Sequence, residues 1–174
     1  MARSSHARRR DLIVAHHEAG HAVAAIALGV PMRFATIVPD LEDATLGHVR
    51  FRSGDPDLPS LGHRLLIVSL AGPAAQRRFA PRSPIRVNGD SDFQLARLES
   101  ETCSSSPVAA RSLHRWAEHE SRHLVAREWV LIEHVAAALI ERRTIDEAGL
   151  QQIAAAFRAG RERAAAAYRR GAWT

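Results

Sequence analysis

From Val108 to Arg143 the chain contains neither glycine nor proline. A stretch of that length without a breaker cannot be a strand of ordinary size, and it lacks the turn residues a loop needs. Its apolar positions, among them Leu113, Trp116, Leu124, Val125, Trp129, Ile132, Val135 and Leu139, recur at helical spacing. The pattern predicts one or two packed helices. Abundant Ala and Leu, with only 5% aromatic residues, tilt the rest of the chain the same way. At 174 residues, 46% of them hydrophobic, one globular domain with a real core is expected.

The other elements follow from local signals. Asp11 to Leu28 reads as a helix that Asp11 can cap, with Gly29 and Pro31 as its stop. Arg33 to Val38 is a short β-prone run closed by Pro39-Asp40, and residues 41–46 are acidic and loop-like. His48 to Arg52 alternates polar and apolar, so the two runs predict a small antiparallel sheet. After a Pro/Gly loop at 53–60, Leu61 to Phe79 is helical, with a kink or break expected at Gly72-Pro73. Residues 81–90 form another loop. Ser91 and Gln94 make a capping box for a helix to about Glu101, and Thr144 with Glu147 makes a second one for the last helix. The expected class is mainly α (α+β) with a small antiparallel sheet. Residues 1–10 read as a basic flexible N-terminus, 11–158 as the domain, and 159–174 as an Ala/Arg-rich tail or frayed helix.

The net charge is +5, and every one of the 24 basic residues is arginine. These arginines are spread along the chain, with denser groups at Arg8 to Arg10 and Arg158 to Arg170. A nucleic-acid binder concentrates them on one face and adds stacking aromatics, so no nucleic-acid partner is expected. Cys103 is the sole cysteine, which excludes an intramolecular disulfide and a cysteine-based zinc knuckle. No signal core follows the basic N-terminus, and no run approaches the roughly 20 apolar residues of a membrane span. A soluble, cytoplasmic protein is the expectation.

Within the first helix, His17-Glu18-Ala19-Gly20-His21 reads HExxH. Histidines at i and i+4 lie on one helix face, close enough to share a metal ion. Glu18 flanks that ion, where it can take a proton from a zinc-bound water whose pKa the metal lowers toward about 7. The spacing is therefore a zinc-peptidase signature with a mechanical reason. Five residues can also match by chance, and His119-Glu120-Ser121-Arg122-His123 repeats the pattern. Around the first copy, apart from His16, the residues are small, apolar and uncharged. The second has Glu118, Arg122, Arg115 and Arg127 around it and reads as a solvated face. Gly20 supports the first copy, since mid-helix glycine costs about 1 kcal/mol relative to alanine and close packing is the reason to keep it. His48, His63, His114 and His134 read as surface or core histidines.

A catalytic zinc takes three protein ligands and keeps a fourth position for water. Acidic candidates after His21 are Asp40, Glu42, Asp43, Asp55, Asp57, Asp90, Asp92, Glu99 and Glu101. Those at 40–57 fall in loops, whereas Asp92 stands in the first turn of an expected helix, where it can equally serve only to offset the helix dipole.

His17 to Ala22 resembles the HEAGHA signature of the peptidase domain of FtsH-type membrane AAA proteases, peptidase family M41. Thr36-Ile37-Val38-Pro39 is similar to that family's strand ending in Ile-Pro, and Leu46-Gly47-His48-Val49 to its Leu-Gly-Tyr-Thr. Leu70 to Ala75 resembles Leu-Gly-Gly-Arg-Ala-Ala, and Gly89 to Gln94 resembles Gly-x-x-Asn-Asp-Leu-Gln. Order and spacing agree from about residue 11 to 100, and more loosely through Leu150. The resemblance implies a mostly helical zinc metallopeptidase with a small sheet, His17, His21 and Asp92 as zinc ligands, and Glu18 as general base. It implies a peptide or unfolded-protein substrate. It does not extend to an AAA module or a membrane span, so a stand-alone hydrolase is expected; an AAA ATPase in trans has no residue here to speak for it. The family's Arg-Ala-Ala-Glu-Glu is replaced by Pro73-Ala74-Ala75-Gln76-Arg77, and the loop before Asp92 is one residue shorter. Those departures motivate the rival expectation of a non-proteolytic zinc-binding or regulatory module on the same scaffold.

Overall fold

A helix with small and apolar residues on every side belongs inside the protein, and from Ile13 onward such residues dominate the first helix. In the computed structural model, which describes residues 5–39, 46–51, 62–83, 87 and 91–169, helix α1 spans Ser5–Leu28. Every residue from Ile13 to Ala25 is buried. Strands β1 (Met32–Thr36) and β2 (His48–Phe51) follow, then α2 (Gly62–Phe79), α3 (Ser91–Thr102), α4 (Pro107–Arg127) and α5 (Trp129–Arg142). Strand β3 (Thr144–Asp146) and α6 (Glu147–Arg169) complete the order. The fold is mainly helical, with one small three-stranded antiparallel sheet among the described residues. Within those residues, no helix is long and apolar enough to cross a membrane.

Helix α1 packs against α2 and α5 most extensively, with α4 and the sheet closing the remaining sides. Small residues set the α1–α2 approach. A Cβ on Gly20 would stand 2.7 Å from the Ala71 carbonyl oxygen and 2.7 Å from the Ala75 Cβ. Glycine is what lets two backbones come that close, which is the packing reason anticipated for it. Ala19, Ala22, Ala71 and Ala75 are all fully buried around that contact.

The sheet runs β2-β1-β3, with Thr36 opposite His48 on one side and Thr144 on the other. The third strand is a correction to the expected capping box at Thr144 and Glu147. Thr144 is instead a strand residue, its hydroxyl 2.7 Å from that of Thr36. Asp146 caps α6, its Oδ1 accepting the Gly149 N–H at 2.9 Å.

Three other boundaries differ from the sequence reading. Helix α1 starts at Ser5 and not at Asp11, so residues 5–10 are helical; Ala and Arg are good helix formers with no breaker among them. Asp11 is therefore no cap. It is buried, and Arg143 Nη1 donates to its Oδ2 at 2.9 Å. Helix α2 runs unbroken through Gly72-Pro73, because Leu66, Ile67, Val68, Leu70, Ala71 and Ala75 are buried along it and outweigh the roughly 3 kcal/mol cost of an internal proline. The C-terminal stretch stays helical to Arg169, though its buried positions are only Leu150 and Ala154. The long breaker-free segment is two helices divided at Glu128, whose N–H still bonds the Leu124 carbonyl.

Candidate metal centre

Helical spacing puts His17 and His21 one turn apart on the face of α1 that meets α2 and the start of α3. Their Nε2 atoms are 3.1 Å apart. Asp92, in the first turn of α3, brings its Oδ2 to 2.9 Å from His17 Nε2 and 3.6 Å from His21 Nε2. Three ligand atoms from two separate helices thus face one point. Around a tetrahedral ion with bonds of about 2.0–2.1 Å, neighbouring ligand atoms lie roughly 3.3 Å apart. The three observed separations bracket that value, so the buried group His17, His21 and Asp92 can hold a metal ion.

Each imidazole is fixed from behind. His21 Nδ1–H donates to the Val68 carbonyl at 2.7 Å, and His17 Nδ1 lies 2.9 Å from the Gln76 side-chain oxygen. Such outer contacts orient a metal-binding histidine and settle which nitrogen faces the ion. Gly72 makes room for the assembly: a Cβ there would fall 2.1 Å from His21 Nε2.

Glu18, next to His17 on α1, is completely buried, and neither of its carboxylate oxygens has a hydrogen-bond partner. Burial pushes its pKa up to about 8, with the nearby Asp92 charge adding to the rise and His21 opposing it. Burial would push His21 down, but the Asp92 carboxylate beside it prevails and lifts it to about 9. Asp92 is driven the other way: despite burial, His21 and His17 hold its carboxyl well below the usual range. Burial lowers the pKa of His17, against the raising effect of the Asp92 carboxylate beside it. Gly47 covers Glu18 from the sheet side, where a Cβ would sit 3.1 Å from Glu18 Cγ.

Of the sequence candidates, His17, Glu18, His21 and Asp92 come together. Asp40, Glu42, Asp43, Asp55, Asp57 and Asp90 lie outside the described residues. Glu99 and Glu101 sit further along α3, outside the metal-binding group, and Glu101 pairs with Arg97 at 3.5 Å. The second HExxH copy is turned to solvent on α4, with His119, Glu120 and His123 all exposed. Among the described residues, none of His48, His63, His114 and His134 joins a metal-binding group. Compared with models of known protein families and with curated protein sequences, the chain matches none.

Sequence reasoning missed three contributors. Gln76 stood out only as a departure from a family pattern, and Gly72 only as a helix breaker. His16, which the motif left as a neighbour, is buried and stacked on Phe79 with centroids 3.7 Å apart. Its Nδ1–H donates to the Leu12 carbonyl at 2.7 Å, so it braces α1 and takes no part in the metal group.

Proposed function

We propose that this protein is a zinc-dependent metallopeptidase in which His17, His21 and Asp92 hold the ion and Glu18 is the general base. The observation that carries the reading is Glu18. A carboxylate with no partner is costly to bury, and this one lies beside three converging ligand atoms with its pKa near neutrality. A group so placed is suited to accept and return a proton. When bound, the zinc supplies Lewis acidity toward a water molecule and a peptide carbonyl. Glu18 takes the proton of the attacking water and passes it to the departing amine. His17, His21 and Asp92 keep their positions through Gln76, Val68 and the first turn of α3. Strand β2, at one edge of the sheet and next to Gly47 over Glu18, offers its backbone to an extended peptide by strand addition. The substrates are then peptides or unfolded segments.

A second reading has one observation in its favour. The ligand residues and Glu18 are all at most 7% exposed, as befits a non-proteolytic metal-binding or regulatory module. The two readings part in one experiment. Purified protein is assayed for bound zinc by mass spectrometry and for cleavage of an unfolded polypeptide, alongside Glu18→Gln. The peptidase reading expects zinc in both proteins and cleavage only in the wild type. Zinc with no cleavage favours the regulatory module, and no zinc defeats both.

A further inference from the structure

Arginines that are scattered along the sequence gather in space along α4. Two clefts, of about 320 and 760 Å³, lie between α2 and α4 and between α3 and α4, and Phe93 stands in the wall of both. Their α4 wall is one continuous helix face: Ala110, His114, Glu118, Ser121 and Val125 recur every three or four residues. The two clefts therefore form one groove that follows α4 from Pro107 to Val125. At 1.5 Å per helical residue its length is about 27 Å, the span of roughly eight residues of extended chain.

Six arginines and two glutamates line this groove, so its charge is positive. Both glutamates are already matched: Glu101 pairs with Arg97 at 3.5 Å, and Glu118 with Arg122 at 3.7 Å. The Arg78 guanidinium lies over the Trp129 ring, 4.6 Å from its centroid. Arg77, Arg111 and Arg115 are exposed, and among the described residues none of the three has a hydrogen bond, ion pair or ring contact. Between these free guanidiniums the wall is apolar, with Leu70, Pro73, Val125 and the 40%-exposed Phe93.

The planar donors of a guanidinium match a carboxylate in pairs. Glu101 and Glu118 interrupt the positive run, which suits carboxylates set at intervals and not an unbroken row of phosphates. Phe93 is the only phenylalanine, tyrosine or tryptophan among the described wall residues, whereas bases bound in series need several stacking rings. We propose that the groove docks an extended acidic segment of another protein, with carboxylates spaced along it and apolar residues between them. Arg111 and Arg115, one turn apart on α4, take one end of the segment, and Arg77 on α2 takes the other. The proposal goes beyond the metallopeptidase reading and does not depend on it. Asp92 is buried in the first turn of α3 and Phe93, the next residue, is exposed in the groove. A docked segment thus lies on the outer side of the helix whose inner side carries Asp92.

The test is the binding of labelled ten-residue peptides to the full chain by fluorescence anisotropy. A chelator is present throughout, so that the metal centre stays empty. One peptide carries three glutamates among leucines and serines, and its counterpart carries glutamines in their place. The glutamate peptide is expected to bind at least about tenfold tighter, and to weaken by about tenfold as salt rises from about 50 to about 500 mM. Arg111→Gln with Arg115→Gln is expected to weaken it by about tenfold. Removing the same charge from the exposed surface of α6, with Arg163→Gln and Arg169→Gln, is expected to cost less than about twofold. Equal losses in the two double variants would reduce the effect to net charge and overturn the proposal. Equal binding of the two peptides would overturn it as well. A labelled single-stranded oligonucleotide of ten nucleotides is the rival probe, and tighter binding of it through Arg111 and Arg115 would replace the proposal with a nucleic-acid site. The comparison of peptides uses the wild type alone, so a variant that fails to fold still leaves a decision. Zinc uptake and cleavage are measured separately; their failure removes the metallopeptidase reading and leaves the groove standing.

Discussion

Gly72 lies so close to His21 that a single methyl group would collide with the ligand nitrogen: a Cβ at position 72 would be 2.1 Å from Nε2, 2.5 Å from Cδ2 and 2.6 Å from Cε1. The imidazole cannot simply turn aside, because its Nδ1–H is tied to the Val68 carbonyl on the same helix. Gly72→Ala is therefore expected to weaken metal binding by at least about tenfold, with a stability loss of about 1–3 kcal/mol from overpacking. Calorimetric titration of zinc into the variant, beside its urea melt, checks both. Unchanged affinity would show that His21 is not held where the metal needs it.

Zinc affinity should rise with pH. In the metal-free protein the Asp92 carboxylate outweighs burial and lifts the His21 pKa to about 9, so below that pH Nε2 carries a proton that the ion displaces. Affinity is expected to climb by about tenfold per pH unit and to level off above about 9. The metal-free fold shows the opposite trend. Because the His21 pKa is raised above its unfolded value of 6.5, its stabilisation is complete below 6.5 and lost as pH rises through about 9. Chelator competition and metal-free melts over this range read the two slopes; a flat affinity profile below 9 would contradict the assignment.

Arg143 is a non-glycine residue with φ of 69°, the left-handed region that costs an L residue about 1–2 kcal/mol. It is kept because its guanidinium joins three parts of the molecule, donating to Asp11 Oδ2 at 2.9 Å and to the Ile37 carbonyl at 3.1 Å. Arg143→Ala should lose about 2–3 kcal/mol of stability, since it removes the nearer cation from a buried carboxylate, leaving Arg10 at 3.9 Å, and keeps the strain. Arg143→Gly should lose about 1 kcal/mol less, because it loses the pair but relaxes the backbone. Urea unfolding of the two variants compares them directly, and equal losses would mean that no strain is stored at this residue.

The exposed copy of the motif should be silent. Replacing His119 and His123 with alanine is expected to leave zinc stoichiometry and any peptide cleavage unchanged, whereas His17→Ala abolishes both. Loss of metal from the His119/His123 variant would point to α4.

How much of this was legible depended on the range of the interactions involved. The helix period alone put His17 and His21 on one face, and a mid-helix glycine demanded a packing reason that Ala71 and Ala75 supply. Asp92 was harder to read. Its place in a first turn was visible, but its reach to His17 depends on how α3 docks, which no local pattern encodes. Gly72 failed for the same reason: propensity marks Gly-Pro as a break, whereas a contact with a residue on another helix requires the glycine and helix burial carries the proline. Strand β3 is three residues long, too short to show alternation, and its Thr144 and Glu147 imitated a cap that Asp146 supplies.

Helix α3 is the most lightly fastened part of the centre. Its buried residues are Asp92, Ala96 and Ser100, while Phe93, Leu95 and Leu98 face outward. One of its ties to the rest of the molecule is the contact between Asp92 and His17, 75 residues away along the chain. An ion shared by those two residues would act as a removable cross-link, closing a long loop much as a disulfide does. Chelation would then loosen α3 before any other helix, visible as hydrogen exchange that speeds up in residues 91–102 first. The first ligand to leave would be the carboxylate, with both histidines still in place on α1.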